Sequence, residues 1–262
     1  MLAVLSGVVT AVLLATPAMA EPRASIIGYS QSGAALILYA VGDGPRHVLV
    51  VGGQHGGPEA NTVQLVNGLL DYFLANPEAV PAGFELDVLP VANPDGLQNG
   101  SRQFVSGVDP NRNWGGSDWR SDAFDSNGLF REGLGGPEPF SEPETRALAD
   151  WILANKPVFV VNYHSAGGFM FATRDGAAGD LSSAYADASG YWWPSPGVGG
   201  QRSPLSYQAS GSMNVWLRQV GIPGILIELT TPRSTEIERN LAGLQAVLGT
   251  LGDTGTATVT PP

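Results

Sequence analysis

The sequence predicts an α/β fold with a mixed, largely parallel sheet of about eight strands and helices on both faces. Strand-like apolar runs alternate along the chain with segments of helical periodicity, as in repeated strand–helix units. The strand-like runs are nearly continuous, which is typical of strands buried on both faces. With 262 residues, of which 43% are hydrophobic and 14% charged, the chain can bury the core that such a sheet needs.

The strands are predicted from short apolar runs. The run HVLVVGG at 47–53 has the length and the β-branched residues of a buried strand. The run FELDVLPVAN at 84–93 ends in the turn sequence NPDG. The six predicted strands cover residues 24–30, 34–42, 47–53, 84–93, 157–164 and 223–230.

The helices are predicted from apolar residues that recur at helical spacing, most clearly over 59–75. Segment 141–155 opens with a capping box, in which Ser141 caps the helix and Glu144 lies three positions later. The four predicted helices cover residues 59–75, 141–155, 212–221 and 234–251.

Two long stretches, 97–140 and 178–206, are predicted to be mostly loop. The first is rich in Gly, Asp, Asn and Arg and has little periodicity. A loop of this length inside a compact domain usually has a function. We expect one domain over residues 21–250, followed by a disordered tail at 251–262.

The N-terminal residues 1–20 are predicted to be a signal peptide. They carry no charge, and Ala18, Met19 and Ala20 form an A-x-A-like cleavage site. The protein would then be secreted or periplasmic, without stable membrane insertion after cleavage. The segment lacks the usual basic residue near its start, which leaves an uncleaved anchor as the alternative.

The charge and cysteine content exclude several classes of protein. The net charge is −11 and Lys156 is the only lysine, so nonspecific binding of nucleic acid is not expected. The chain has no cysteine, which excludes disulfides and a lipoprotein anchor. Stability must come from the core or from a metal.

Three polar residues lie at the edge of the predicted sheet where its strands end. His55 follows the strand at 47–53, Glu59 begins the next helix, and His164 ends the strand at 157–164. Two histidines, one glutamate and a water are typical of a catalytic zinc site. Taken singly, Glu59 could complement a helix dipole and His55 could be a polar loop residue. The third histidine, His47, opens a strand and is expected to be structural.

Seven motifs in order resemble the M14 family of zinc carboxypeptidases. They are HGGPE, NPDG followed by an arginine, GVDPNRNW, SEPET, YHS, YQASGSMNVW and IEL. The resemblance covers roughly residues 45–250 and implies the α/β fold above, one Zn²⁺ ion and a peptide substrate with a free C-terminal carboxylate. The compact length is closest to bacterial members such as murein peptide amidases.

The resemblance also implies a role for each matching residue. His55, Glu59 and His164 would be the zinc ligands. Glu228 would be the general base and acid, and Arg102 would stabilise the oxyanion. The substrate-binding residues would be Asn111 and Arg112, which grip the terminal carboxylate, and Tyr207, which closes over the substrate. Taken singly, Arg102 and Arg112 could be surface residues, and Tyr207 could be a half-buried aromatic residue. Glu228, by contrast, lies inside a run with a buried pattern.

The sequence departs from the family pattern at two positions. The usual metal motif is H-x-x-E, but three residues separate His55 from Glu59 here. Gly56, Gly57 and Pro58 are expected to form a turn that absorbs the extra residue. Pro110 stands where an aliphatic residue is usual, which is expected to change only the loop backbone.

Substrate preference is less well predicted. Counting seven residues from Tyr207 gives Asn214, at the position that often sets selectivity in the family; it is neither acidic nor aliphatic. Arg202 could approach the same pocket and favour acidic groups. Trp192 and Trp193 could line the pocket or form a surface pair.

The function that the resemblance implies is that of a monomeric, secreted zinc metallocarboxypeptidase, which hydrolyses the C-terminal peptide bond of peptides through zinc-activated water. A murein peptide amidase acting on peptidoglycan stem peptides would use the same residues. A silent module that binds peptide C-termini through Arg112 is the alternative from another class, and the irregular spacing before Glu59 motivates it. Such a module would not need Glu228.

Overall fold

The computed structural model describes residues 23–172, 176–194, 205 and 207–253. The predicted signal peptide at 1–20, residues 254–262 of the predicted tail and Arg202 lie outside the described residues. Within them, no helix is both long enough and apolar enough to cross a membrane.

A seven-stranded sheet organises the described part of the chain, in the order β1-β2-β4-β3-β7-β9-β8. The four central strands, β4, β3, β7 and β9, run parallel, and β1, β2 and β8 join antiparallel at the two edges. A small hairpin, β5–β6, lies within the long loop. The strands are β1 Arg23–Tyr29, β2 Ala35–Gly42, β3 Arg46–Val51, β4 Phe84–Leu89, β5 Ala123–Phe124, β6 Phe130–Arg131, β7 Phe159–Ser165, β8 Phe169–Ala172 and β9 Gly224–Leu229.

In the described residues six helices accompany the sheet, and the longer ones cover both of its faces. Helices α1, α4 and α6 supply apolar residues to the core on one face, and α3 and α5 supply those on the other. The helices are α1 Ala60–Ala75, α2 Pro94–Asn99, α3 Pro143–Asn155, α4 Gly176–Ser189, α5 Met213–Gln219 and α6 Ile237–Asp253.

Strand β3 shows why the central runs are continuously apolar. Val48 and Val50 lie in the core beneath α1, whereas Leu49 and Val51 lie in the opposite core. All four side chains are fully buried. Because neighbouring side chains of a strand point to opposite faces, a sheet covered on both sides needs an apolar residue at every position. The α/β class and the mixed sheet with helices on both faces are therefore confirmed.

The prediction of mostly loop over 178–206 was wrong, because α4 spans Gly176–Ser189. Alanine, serine and glycine dominate this helix, so its apolar periodicity is weak. Leu181 and Tyr185, one helical turn apart, are buried against the sheet core. The strand β8, which pairs antiparallel with β9, was not predicted either.

The prediction of a capping box at Ser141 was also wrong. Helix α3 begins at Pro143, its N-cap is Glu142, and no side chain caps it. The Ser141 hydroxyl instead donates to the Glu142 carboxylate at 2.9 Å and accepts from the Asn113 amide at 2.9 Å. Glu144 accepts from the backbone N–H of Gln31 at 3.1 Å, so it ties α3 to the turn between β1 and β2.

Candidate active site

The carboxyl ends of the parallel strands bring the predicted site residues together. His55 follows β3, while His164 and Glu228 lie directly opposite one another on the neighbouring strands β7 and β9. Glu59 ends the short 3₁₀ turn Gly57–Glu59 that precedes α1. In open α/β sheets, ligands bind at this edge.

His55, Glu59 and His164 converge on one point. The Nδ1 atoms of the two histidines are 3.1 Å apart. The Glu59 carboxylate oxygens lie 2.8 Å from Nδ1 of His55 and 3.2 Å from Nδ1 of His164. All three residues are buried, so water cannot screen these groups from one another.

Polar partners hold the far side of each imidazole. Nε2 of His55 lies 3.1 Å from the Asp109 carboxylate, which can only accept a hydrogen bond. Nε2 of His164 lies 2.9 Å from Oε1 of Gln54. The Gln54 amide nitrogen donates to the Pro110 carbonyl, so its oxygen faces the histidine. Both ring nitrogens of His55 therefore face carboxylates, and Nε2 of His164 also lies 3.1 Å from the amide nitrogen of Asn162.

This donor set fits a zinc ion. The two Nδ1 atoms and the Glu59 carboxylate face one another, and a cation between them could bind to all three. Zinc accepts neutral imidazole nitrogen and carboxylate oxygen, and a tetrahedral site with Zn–N of about 2.0–2.1 Å places its ligand atoms roughly 3.3 Å apart. The separations of 2.8 to 3.2 Å are close to that value.

Burial and neighbouring charges shift the pKa of each of these three residues. Burial lowers the pKa of His164 to about 4, against the opposing effect of Glu59, so its imidazole is neutral at neutral pH. Burial and Arg102 act to lower the pKa of His55, but Glu59 and Asp109 outweigh them and raise it. Burial would raise the pKa of Glu59, but the two histidines hold it well below its usual range.

Two glycines accommodate the extra residue between His55 and Glu59. A Cβ added to Gly56 would collide with the backbone of Gly96 and Ser101, and one added to Gly57 would collide with the backbone of Gly100. The chain can therefore run against the end of α2 only because both positions lack a side chain. This close approach lets Glu59 reach His55 despite the longer spacing.

Asp109 connects the histidine pair to Arg102. Its Oδ1 accepts from His55 and from the backbone N–H of Asn111, and its Oδ2 accepts from Nε of Arg102 at 2.9 Å. Nη1 of Arg102 also donates to Glu59 at 2.6 Å. Burial would raise the pKa of Asp109, but Arg102 and His55 hold it well below its usual range, so it stays ionised.

A cavity of about 630 Å³ opens in front of these groups. Most of the predicted site residues line it, and Glu59 lies buried behind the histidines. Those lining it are His55, Arg102, Asn111, Arg112, His164, Tyr207, Asn214 and Glu228. Trp193 also lines the cavity, whereas Trp192 is half exposed and packs edge-on against Phe169.

Asn111 and Arg112 present polar groups to the cavity. Oδ1 of Asn111 accepts from the backbone N–H of Met213 at 3.0 Å, which leaves the amide nitrogen to face the cavity. Arg112 is almost completely buried, and backbone carbonyls of Phe124 and Asn111 hold its guanidinium. The Tyr207 hydroxyl lies 3.5 Å from Nη2 of Arg112.

Glu228 lies at the carboxyl end of β9 and faces the same cavity. Burial, together with the nearby Glu59, raises its pKa to about 8, against the opposing effects of His55 and Arg102. A carboxyl group in this range can exchange protons near neutral pH.

Several residues of the site were not identified as such from the sequence. Gln54 and Asn162 hold the outer side of His164, and Asp109 orients His55 and Arg102. Asn162 lies two positions before His164 on β7, and therefore on the same face of the strand. This alternation along β7 could have indicated Asn162, and the position of Gln54 next to His55 in the sequence could have indicated Gln54. Arg218 also lines the cavity.

Comparisons with known proteins agree with this geometry. The profile of the family described as zinc carboxypeptidase, Peptidase_M14, matches residues 22–239. Murein peptide amidase A of Escherichia coli strain K12 is 28% identical over 222 residues, which cover 82% of this chain and 84% of that protein.

Solved structures with a similar fold include an amidase and a carboxypeptidase. The murein-tripeptide amidase from Escherichia coli O157 is 25% identical, with a TM-score of 0.66 over 89% of this chain and 93% of that one. Carboxypeptidase A from Helicoverpa armigera shares 17% identity and a TM-score of 0.68, over 90% of this chain and 70% of that one. At 17% identity, the likeness shows the fold alone.

Proposed function

We propose that this chain, which belongs to the zinc carboxypeptidase family, is a zinc metallocarboxypeptidase. It would hydrolyse an amide bond whose departing residue carries a free carboxylate. The observation that carries the proposal is the convergence of His55, Glu59 and His164, whose Nδ1 atoms and carboxylate oxygens lie within about 3.2 Å of one another.

The three converging residues would hold the zinc ion. Zinc supplies a Lewis acid that polarises the substrate carbonyl and makes water more acidic. Glu228 takes a proton from the attacking water and delivers it to the departing amine, a role that its position beside His164 and its raised pKa support. Arg102, held by Asp109, places a fixed cation beside the reacting centre, where negative charge develops on the carbonyl oxygen.

The other end of the cavity would hold the departing residue. Arg112 has no ion pair in the described part of the chain, and backbone carbonyls fix its planar guanidinium. Such a group suits bidentate binding of a carboxylate. The free amide nitrogen of Asn111 would add a hydrogen bond, and Tyr207 would cover the bound substrate.

The test is to incubate purified protein with a mixed library of peptides that have free C-termini, with and without a zinc chelator, and to follow their masses. We expect chelator-sensitive loss of single C-terminal residues. Glu228→Gln should lower kcat/KM by roughly 10²–10⁴ while the bound zinc, measured by elemental analysis, stays at one per chain. Glu132→Gln, at an exposed position, should leave activity unchanged. Full activity in Glu228→Gln would contradict the proposal.

A murein peptide amidase is the second candidate. The similarity to murein peptide amidases covers most of both chains and has the higher identity, which favours this substrate class. Peptidoglycan stem peptides added to the same assay separate the two functions. Cleavage of stem peptides without cleavage of ordinary peptides would identify an amidase, and Glu228→Gln should abolish either activity.

We also propose that residues 1–20 direct export and are removed after Ala20. The absence of charge over this segment and its A-x-A ending support the proposal. N-terminal sequencing of protein recovered from outside the cytoplasmic membrane should begin at Glu21.

A further inference from the structure

His47 belongs to a second polar cluster, at the opposite edge of the sheet from the candidate active site. Strand β3 begins at Arg46 and His55 follows its carboxyl end, so the two histidines lie at opposite ends of this strand. Nδ1 of His47 lies 2.8 Å from Oδ2 of Asp87 and 3.8 Å from Oε1 of Glu85. In the parallel register His47 lies opposite Glu85, and Asp87 follows two positions later on the same face of β4.

The sheet and helix α3 enclose this cluster on two sides. Asp87 is almost completely buried, and His47 and Glu85 are partly buried. All three residues line a cavity of about 210 Å³. The ring of Trp151, on α3, packs edge-on against His47, with the ring centroids 5.9 Å apart. The three side chains are therefore held together in a small cavity with limited access for water.

The charges around the cavity favour a cation. Arg23 is the one lysine or arginine among the described lining residues, and it donates to Oε2 of Glu85 at 2.6 Å. Its side chain is 58% exposed, so water and salt screen its charge. The last turn of α3, which includes Asn155, also lines the cavity, and the carboxyl end of a helix carries a partial negative charge. Two carboxylates and this helix end would attract a cation beside His47.

The donor atoms of the cluster match those of a transition-metal site. Imidazole nitrogen and carboxylate oxygen are both good ligands for zinc. Ligand atoms around a tetrahedral zinc ion lie roughly 3.3 Å apart. The separations of 2.8 and 3.8 Å from Nδ1 of His47 lie on either side of that value, and one ligand atom from each of the three residues lies within 4.8 Å of the others. Small shifts of the partly buried His47 and Glu85 side chains would bring the three atoms onto one ion.

We propose that His47, Glu85 and Asp87 form a second metal site, for a divalent ion that accepts both nitrogen and oxygen ligands, such as zinc. The inference does not depend on the proposed function, because none of these residues lines the active-site cavity. The ion would link the start of β3 to β4 and stabilise the fold without taking part in hydrolysis. The site should bind zinc more weakly than the candidate active site does, because it has one imidazole instead of two and is less buried. Dialysis against metal-free buffer should therefore leave one zinc per chain.

Calorimetry with Zn²⁺ tests the site. Wild-type protein dialysed to one zinc per chain is titrated with zinc chloride, and we expect about one further ion to bind per chain. Asp87→Asn and His47→Gln should bind this ion roughly tenfold more weakly or worse, because a neutral amide replaces a strong metal ligand. Glu78→Gln, at an exposed position outside the cavity, is the control and should bind the ion as the wild type does. A cluster held together by ion pairs alone would take up no second zinc, and that result would overturn the inference.

Two further measurements locate the second ion. Its binding should persist in Glu228→Gln, which excludes a second zinc beside that carboxylate in the active site. Zinc should also raise the Tm of the wild type more than that of Asp87→Asn, because an ion that binds only the folded state stabilises it. Equal affinity for the second ion in the wild type and in both cluster variants would overturn the inference. Glu85→Gln, at a partly buried position, provides the same comparison if those variants do not fold.

Discussion

At the residue scale, Asp109 is the side chain on which most of the site geometry depends. One carboxylate orients the ring of His55, the guanidinium of Arg102 and the backbone at Asn111. Groups that orient a metal-binding side chain contribute to metal affinity without touching the metal.

We expect Asp109→Asn to weaken zinc binding by roughly 10–100-fold, because the amide can present an N–H to His55 and disturb its protonation. Zinc affinity measured by competition with a chromogenic chelator checks this. Asp150→Asn, at an exposed position of α3, is the control and should bind zinc as the wild type does. Equal zinc affinity in Asp109→Asn would show that His55 does not need this partner.

Another buried carboxylate, that of Asp87, predicts how stability depends on pH. Burial raises its pKa to about 7, and the neighbouring His47, 2.8 Å away, only partly opposes this. Glu85 lies on the same strand face and pairs with Arg23. Because the folded state holds the Asp87 proton more tightly than the unfolded state, its contribution is present below about pH 4 and is lost as the pH rises through about 7.

We therefore expect the free energy of unfolding of the wild type to fall more between pH 5 and pH 8 than that of Asp87→Asn. Each unit of pKa difference corresponds to at most about 1.4 kcal/mol. Urea unfolding of metal-free protein at the two pH values measures the difference, and Asp150→Asn should follow the wild type. Parallel pH dependence of wild type and Asp87→Asn would contradict the prediction.

The sequence indicated most of the candidate site residues but not the residues that hold them in place. His55, His164 and Glu228 could be placed because they lie at or near the carboxyl ends of predicted strands, and the ends of parallel strands meet at one edge. Gln54 and Asn162 could not be assigned, since a buried amide gives no pattern until its partner is known. Arg218 was missed because its direction depends on how α5 packs. The roles of all these residues remain proposals.

At the element scale, packing between α4 and α6 explains the helix that was not predicted. The ring of Tyr185 on α4 lies directly over Gly243 of α6. Its hydroxyl lies 3.0 Å from that of Tyr163 and donates to Asn240. Tertiary contacts of this kind stabilise α4, whose own sequence is weakly periodic. The strands and longer helices were predictable because their apolar patterns are strong.

Two glycines of α6 give a matched pair for testing this packing. A Cβ added to Gly243 would lie 2.8 Å from the Tyr185 ring, whereas one added to Gly249 would meet nothing within 4 Å. We expect Gly243→Ala to destabilise the protein by about 1–3 kcal/mol. Gly249→Ala should stabilise it by roughly 0.5–1 kcal/mol, because alanine favours the helix. Denaturant unfolding of both variants checks the signs; two stabilised variants would mean that α4 does not pack here.

At the scale of the whole molecule, the site exists only when distant parts of the chain are assembled. Its residues come from the ends of β3, β7 and β9, the long loop and the start of α5. The pairing of His164 with Glu228 fixes one register between β7 and β9. A shift of that register by one residue would turn Glu228 to the other face of the sheet.

The positive cavity within a negatively charged protein has a consequence for the kinetics of encounter. At low ionic strength the field of the whole molecule, with a net charge of −11, repels an approaching anionic peptide, even though Arg112 attracts its carboxylate at close range. Salt at 0.1 M screens charges beyond about 10 Å and should remove the distant repulsion first. The association rate constant of a peptide ending in Glu, measured by stopped flow, should therefore rise between 10 and 100 mM salt, and its dissociation should become faster as well. A protein of this kind would capture anionic substrates more rapidly in a saline medium than in a dilute one.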